Sequence, residues 1–182
     1  MATMTGDVTN FNYGSCQVTF NAVDLGFFKD AVVFRYEVTY YDVRSIQSSM
    51  NLDKKVITES AIAVIAMQET DLDVLQAVCP TGTYVLDGSG SKKKIQFGGN
   101  QLSSSDAKQL IITPTTDGIG TLTTDNNEKV TIYKCFAHVM IEHSFSLENG
   151  ELVTPVEFHA IADTTKATGN QLCLLGDSTA SA

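Results

Sequence analysis

The chain has 182 residues and a net charge of −9. This acidic balance disfavours sequence-specific DNA binding, because neutralising phosphates requires a basic face and the sequence offers only two short lysine clusters, Lys54-Lys55 and Lys92-Lys93-Lys94. The sequence contains no apolar run of about 18 residues, so we predict no membrane anchor. We predict one domain over residues 1–182 with flexible tails at 1–12 and 178–182, synthesised in a cytoplasm.

Apolar and polar residues alternate with a period of two along much of the chain, which predicts half-buried strands. The pattern is clearest at residues 16–20, 32–40 and 156–160. Residues 61–67 and 133–141 are apolar on both faces, so each strand is either central in a sandwich or buried against another subunit. Frequent turn signals separate these segments. The sequence therefore predicts a mainly β fold, an antiparallel β-sandwich or barrel.

One short α-helix is predicted over residues 71–79, with Thr70 as its cap and Asp73 at the capping-box position. Pro80 ends the helix, and its apolar face is formed by Leu72, Leu75, Val78 and Cys79. Two segments are predicted to project from the domain: residues 41–55, between strong strands, and residues 81–106, rich in Gly, Ser and Lys.

Candidate catalytic groups are few. Cys135 and His138 are three residues apart on a predicted strand, which places their side chains on opposite faces, and His143 is too far along the strand from Cys135. Ser91-x-x-Lys94 lies in a polar segment that would not desolvate the lysine. The widely spaced cysteines Cys16, Cys79, Cys135 and Cys173 indicate buried free thiols. We predict no catalytic, cofactor-binding or metal-binding residues and no enzymatic activity.

The order of these features resembles that of phage tail tube proteins (major tail proteins). The resemblance covers residues 13–177: the strand ending at Phe20, the step Val23-Asp24-Leu25-Gly26-Phe27-Phe28-Lys29-Asp30, the long strand 32–40, the extended segment 41–55, the strand 57–67 and the helix 71–79. Later segments fit as well, including residues 110–114, 130–134, 155–163 and 174–177.

The resemblance implies a subunit that assembles with itself as stacked hexameric rings around a channel for DNA. Tail terminator, baseplate or tip and tape-measure proteins are the implied partners, with a sheath if the tail contracts. The implied location is the virion tail. An acidic channel would let DNA pass without specific binding, because it repels phosphates.

Two sets of site residues follow as hypotheses. The long hairpin is predicted to contact another subunit through Tyr41, Asp42, Arg44, Ile46, Gln47, Met50, Leu52, Lys54 and Lys55. The acids predicted to face the channel are Glu37, Glu59 and Glu142.

Three alternatives remain open at this point. The first is another virion or secretion structural protein, such as a head-decoration subunit, a tail terminator or a secretion-system tube protein. The second is a ligand-binding β-sandwich, for example for carbohydrate, although the sequence has no Trp to form an aromatic platform. The third is an enzyme with a buried Cys-His site.

Overall fold

The computed structural model describes residues 15–44, 51–68, 71–115, 121–141 and 153–180. The described strands are β1 (Cys16–Phe20), β2 (Val23–Asp24), β3 (Val33–Arg44), β4 (Asn51–Met67), β5 (Gly82–Leu86), β6 (Lys93–Phe97), β7 (Lys108–Pro114), β8 (Val130–Val139), β9 (Thr154–Ala160) and β10 (Cys173–Leu175). The α-helix α1 spans Leu72–Val78, and a 3-10 helix spans Asn126–Glu128. The predicted mainly antiparallel β fold with a short helix is confirmed.

Eight strands form one antiparallel sheet in the order β2-β1-β7-β8-β9-β4-β3. The eighth, β10, pairs with the first part of β8, and β9 pairs with the second part on the same side. Strand β3 therefore lies at one edge of the sheet, next to β4, and its outer backbone groups face away from the sheet.

The chain that leaves β2 runs from that edge of the sheet to the last residue of β4. The Leu25 amide donates to the Val18 carbonyl at 3.0 Å, so this part of the chain still belongs to the β1 edge. Three residues later, Phe28 forms an antiparallel bridge with Met67 of β4. Because the chain passes from β1 to β4 in so few residues, the sheet must roll around its buried face.

The core lies inside this roll. Phe158 of β9 is fully buried, and its ring centroid lies 4.9 Å from that of Phe20 in a tilted arrangement. Around this pair pack the inward-facing side chains Val18, Leu25, Ala63, Ile65, Met67, Leu110, Ile112, Ile132, Cys135, Ala137 and Val156. The alternation predicted for residues 156–160 is seen directly, since Val156 and Phe158 are buried and Glu157 is exposed.

Helix α1 closes one end of the roll. Its N-cap is Asp71, whose carboxylate accepts from the Asp73 amide at 3.4 Å, so the predicted capping by Thr70 is wrong. The carboxylate of Asp71 reaches this amide two residues on, and Thr70 itself lies outside the described residues. The predicted apolar face packs on the core through Leu75, Val78 and Cys79.

Residues 81–106 are not one long loop, because they contain the two-stranded hairpin β5–β6. The Tyr84 hydroxyl donates to the Asp73 carboxylate at 2.5 Å, and Lys93 forms an ion pair with the same carboxylate. Ile95 packs against the core. These contacts with α1 order a segment whose composition is that of a loop, and they join residues too distant in sequence for a local pattern to reveal them.

The strands predicted to be apolar on both faces are buried on one face and only partly covered on the other. In β4, Ala61, Ala63 and Ile65 are buried, whereas Val64 is exposed on the opposite face. Beyond β8, Met140 is exposed as well. A central strand of a sandwich would be covered on both faces by its own chain. The exposed side chains Val64 and Met140 do not fit that alternative.

The segment that joins β9 to β10 is held by the Asp163 carboxylate. It accepts from the Lys134 ammonium at 2.9 Å and from the Thr165 hydroxyl at 2.8 Å. The Asp163 amide donates to the Gln171 carbonyl at 2.8 Å, which closes the segment on itself. These hydrogen bonds, with that from Lys134 foremost, lower the pKa of Asp163 from 3.8 to about 2.

Replacing the central aromatic residue tests the core. We expect Phe158→Ala to lower the free energy of unfolding by about 3–5 kcal/mol, because the fully buried ring leaves a cavity. Urea denaturation followed by circular dichroism measures the change. The matched control is Phe27→Ala at a side chain that is 78% exposed, where we expect a change within about 0.5 kcal/mol. Equal losses from the two variants would contradict this core.

The pH dependence of stability tests the Asp163 contacts. A carboxylate whose pKa is lower in the folded state stabilises the fold above its unfolded pKa, and this contribution is lost as pH falls. We expect wild-type protein to lose stability relative to Asp163→Asn as pH falls from about 4 to about 2. Urea midpoints measured at pH 7, 4 and 2 give this difference. A difference between the two proteins that stays constant with pH would refute the assignment.

Candidate functional site

The main exposed feature of the fold is the far part of the β3–β4 hairpin, residues 36–44 and 51–61, which we call the arm. Strand β4 pairs with β9 only from Ile62 to Met67, whereas it pairs with β3 from Asn51 to Val64. Over the length of the arm, β3 is therefore the only strand paired with β4 among the described residues. An isolated two-stranded ribbon has little stability of its own in water.

The strand register gives the arm two different faces. Tyr36 pairs with Ala61, Val38 with Glu59, and Tyr40 with Val56. Directly paired residues point to the same side of a sheet, and Ala61 points into the core. The apolar face of the arm, formed by Tyr36, Val38, Tyr40 and Val56, is therefore the outward continuation of the core-facing side.

The apolar face extends past the end of the core. Tyr40 is 54% exposed and Val56 is 52% exposed. Between the root of this face and the segment that contains β10 lies a cleft of about 600 Å³, lined in part by Tyr36, Glu59 and Leu175. Loss of hydration, and then the nearby Glu59 carboxylate, raise the pKa of Tyr36. Contiguous exposed apolar side chains of this kind mark interaction surfaces.

The opposite side, the polar face of the arm, is formed by Glu37, Thr39, Thr58 and Ser60. These residues pair as Glu37 with Ser60 and Thr39 with Thr58. Farther along the same outer face, Arg35 pairs with Ile62 and Val33 pairs with Val64. Val64 also pairs with Glu157 of β9. The polar face of the arm is thus continuous with the outer face of the main sheet.

Beyond Tyr40, the side chains of Asp42 and Lys54 form an ion pair. Lys54 lies 3.8 Å from the Asp42 carboxylate, and its ammonium lies 5.9 Å from the centroid of the Tyr40 ring. Both contacts are consistent with the register, in which Asp42 pairs with Lys54. The apolar face therefore ends in a paired charge, and the Glu59 carboxylate lies on the same side, opposite Val38.

The residues predicted to contact another subunit fall in three groups. Tyr41 and Lys55 pair with each other, as Asp42 and Lys54 do, and all four belong to the arm. Arg44 and Leu52 are in the strands β3 and β4. Ile46, Gln47 and Met50 lie outside the described residues. The contact with another subunit stays a prediction.

The predicted channel acids do not lie together. Glu37 is on the polar face of the arm, whereas Glu59 pairs with Val38 and is on the other side, beside the cleft. Glu142 lies outside the described residues. Sequence reasoning left out Glu157, which is on the same outer side as Glu37. The alternation of Glu157 with Val156 and Phe158 in the sequence was the pattern that indicated its outward position.

The structure also places the groups considered for catalysis. Cys135 is buried and His138 is exposed on the opposite face of β8, as their spacing predicts. Burial raises the pKa of Cys135 to about 12 and that of Cys79 to about 11, so both thiols are poor nucleophiles at neutral pH. The Ser91 hydroxyl lies 2.7 Å from that of Ser89.

The described part of the chain comprises residues 15–44, 51–68, 71–115, 121–141 and 153–180. Within these ranges, no group of three or more His, Cys, Asp or Glu side chains is arranged to hold a metal ion. No helix there has the length and apolar character needed to cross a membrane.

Comparison with known proteins identifies chains of the same fold. No protein-family model matches the sequence, and no curated protein sequence matches it. One similar structure is a chain of the sheath/tube terminator of an extracellular contractile injection system, PVC, in the extended state. It is 14% identical with a TM-score of 0.52, and the match covers 83% of this chain and 92% of that chain.

A second similar structure is a chain of the PVC sheath-tube complex in the extended state. It is 13% identical with a TM-score of 0.51, and the match covers 88% of this chain and 95% of that chain. At these identities the likeness shows that the fold is shared.

Proposed function

We propose that this protein is a structural subunit of a tail tube, which polymerises as stacked hexameric rings around a channel through which DNA passes. The observation that carries the proposal is the arm, whose apolar face continues beyond the core and needs a cover. Another subunit of an assembly supplies that cover. The shared fold with chains from tube-containing assemblies supports the same role.

The polar face of the arm is the side that suits a channel. If one face of the ribbon is covered by a neighbour, the other remains in solvent, and it carries Glu37 with the hydroxyl side chains of Thr39, Thr58 and Ser60. A carboxylate repeated around a ring repels phosphates and disfavours DNA adhesion. Glu59 is on the covered side, so we assign Glu37, and not Glu59, to the channel.

The remaining assignments follow from this role. The subunit acts without catalysis, in a virion tail assembled from protein made in the host cytoplasm. Its partners are other copies of itself, a tail terminator, a baseplate or tip protein and a tape-measure protein, with a sheath if the tail contracts.

A tube terminator is the second candidate, because one of the similar chains comes from a sheath/tube terminator. A terminator ends a tube and so forms a closed ring that does not stack further. A tube subunit polymerises without limit along the axis.

Electron microscopy of the purified protein over a concentration series separates these roles. We expect rings at low concentration and hollow tubes at high concentration, because the uncovered apolar face favours association. Rings that never stack would favour the terminator. Monomers at every concentration would contradict both roles.

The channel assignment is tested by the position of a gold label. We expect Glu37→Cys subunits, labelled with maleimide-gold and then assembled, to carry gold along the tube axis, because Glu37 is on the polar face. The control is Gln96→Cys, an exposed position on the hairpin β5–β6, which packs against α1, and it should not give the axial pattern. Wild-type tubes treated in the same way give the background from half-buried Cys16 and Cys173. Gold at the outer wall for Glu37→Cys would contradict the assignment.

A further inference from the structure

The cleft at the root of the arm has a single charge in the described part of its wall. One side of this cleft of about 600 Å³ is formed by Tyr36 and Glu59 of the arm. The other side is formed by the segment that contains β10, including Leu172, Cys173 and Leu175. Among the described residues of the lining, Glu59 is the only charged one, so the electrostatic character of the cleft is that of one carboxylate.

The Glu59 carboxylate lies beside neutral groups and not beside a cation. Among the described residues, no lysine, arginine or histidine forms an ion pair with Glu59. Loss of hydration raises the pKa of the Tyr36 hydroxyl and of the Cys173 thiol, and the nearby Glu59 carboxylate raises both further. The three side chains therefore converge in the cleft, and the hydroxyl and the thiol stay neutral beside the carboxylate at neutral pH.

Assembly makes this carboxylate costly. Glu59 is on the same side as the apolar face of the arm, which a neighbouring subunit covers in the proposed tube. A carboxylate that loses its hydration without a counter-charge is strongly unfavourable. A cation that enters the cleft and remains there on assembly removes this penalty.

The lining selects the kind of cation. A calcium ion takes six to eight oxygen ligands, whereas the described part of the cleft supplies a single carboxylate. Its wall includes the Tyr36 ring and the exposed side chain of Leu175. An ammonium group is attracted both to a carboxylate and to an aromatic face, and an alkyl chain gains free energy from contact with an apolar wall. The lining therefore fits an ammonium group on an alkyl chain better than a hydrated metal ion.

We propose that the cleft binds a free aliphatic amine, whose ammonium group pairs with Glu59 while its alkyl chain lies along the apolar wall. The cleft volume falls within the range of small-molecule sites, roughly 300–1,000 Å³. The bound amine neutralises the carboxylate that assembly covers, so it favours association. The site itself requires only one chain, whereas its effect on association rests on the proposed function.

Equilibrium dialysis of dilute protein with radiolabelled cadaverine, a five-carbon diamine, tests the site. We expect saturable binding of one amine per chain. We expect Glu59→Gln to weaken this binding at least about tenfold, because the ion pair is lost while the size of the side chain is kept. The matched control is Glu157→Gln, the same loss of charge at an exposed position of β9, which should bind cadaverine like wild type.

Competition identifies the part of the ligand that the cleft recognises. Pentylamine carries one ammonium group on a five-carbon chain, and we expect it to displace the labelled cadaverine. Ammonium chloride and magnesium chloride, at the same ionic strength, should displace no more than sodium chloride does by screening. Displacement by these inorganic cations as effective as that by pentylamine would contradict an aliphatic amine as the ligand.

Light scattering over a concentration series measures the effect on association. We expect cadaverine to lower the protein concentration at which wild type assembles. Glu59→Gln should assemble at a similarly low concentration without cadaverine, because its side chain is already neutral. An amine that binds but leaves the assembly of wild type unchanged would overturn the neutralisation and leave the site intact.

The outcomes keep this inference separate from the proposed function. Absence of cadaverine binding, or equal binding by wild type and Glu59→Gln, would overturn the site even if wild type forms tubes. Wild-type protein that binds cadaverine through Glu59 but never forms hollow tubes would support the site and contradict the tube.

Discussion

The structure depends on one strand that is longer than the core it helps to build. Strand β4 runs from Asn51 to Met67, but β9 pairs with it only from Ile62 onward. Side chains alternate along the pleat, and the register shift between Thr39 and Tyr40 brings Val56 to the same side as Ala61. The apolar side that packs on Phe158 near one end therefore continues as Tyr40 and Val56 where no core lies beneath it.

Several features of the molecule follow from the extension of β4 beyond the core. Strand β3 is at the edge of the sheet, so the arm has free backbone groups as well as an uncovered apolar face. Natural proteins usually shorten, charge or cover such edges. Here the edge is long, and Asp42 and Lys54 beyond Tyr40 are paired with each other. This arrangement suits a surface that is covered on assembly.

The alternation of side chains along the arm gives it two faces of different character. Neighbouring positions such as Glu37 and Val38 point to opposite sides, so one ribbon combines a polar face with an apolar face. A ribbon of this kind can separate a solvent-filled space from a protein interface. The same alternation places Glu157 on the outer side of the main sheet and Phe158 in the core.

Local sequence patterns determined the strands, the short helix and the alternation within each strand, because periodicity and turn residues act over a few positions. Only the tertiary structure decided which strands are neighbours and where the core ends, since both depend on contacts between distant residues. The register of β3 with β4 separated Glu37 from Glu59, although both had been predicted to face the channel. Likewise, the pairing of Tyr84 and Lys93 with Asp73 ordered the hairpin β5–β6 in a segment of loop-like composition. The cleft beside Glu59 joins residues of the arm and of the segment that contains β10, and no local pattern brings these together.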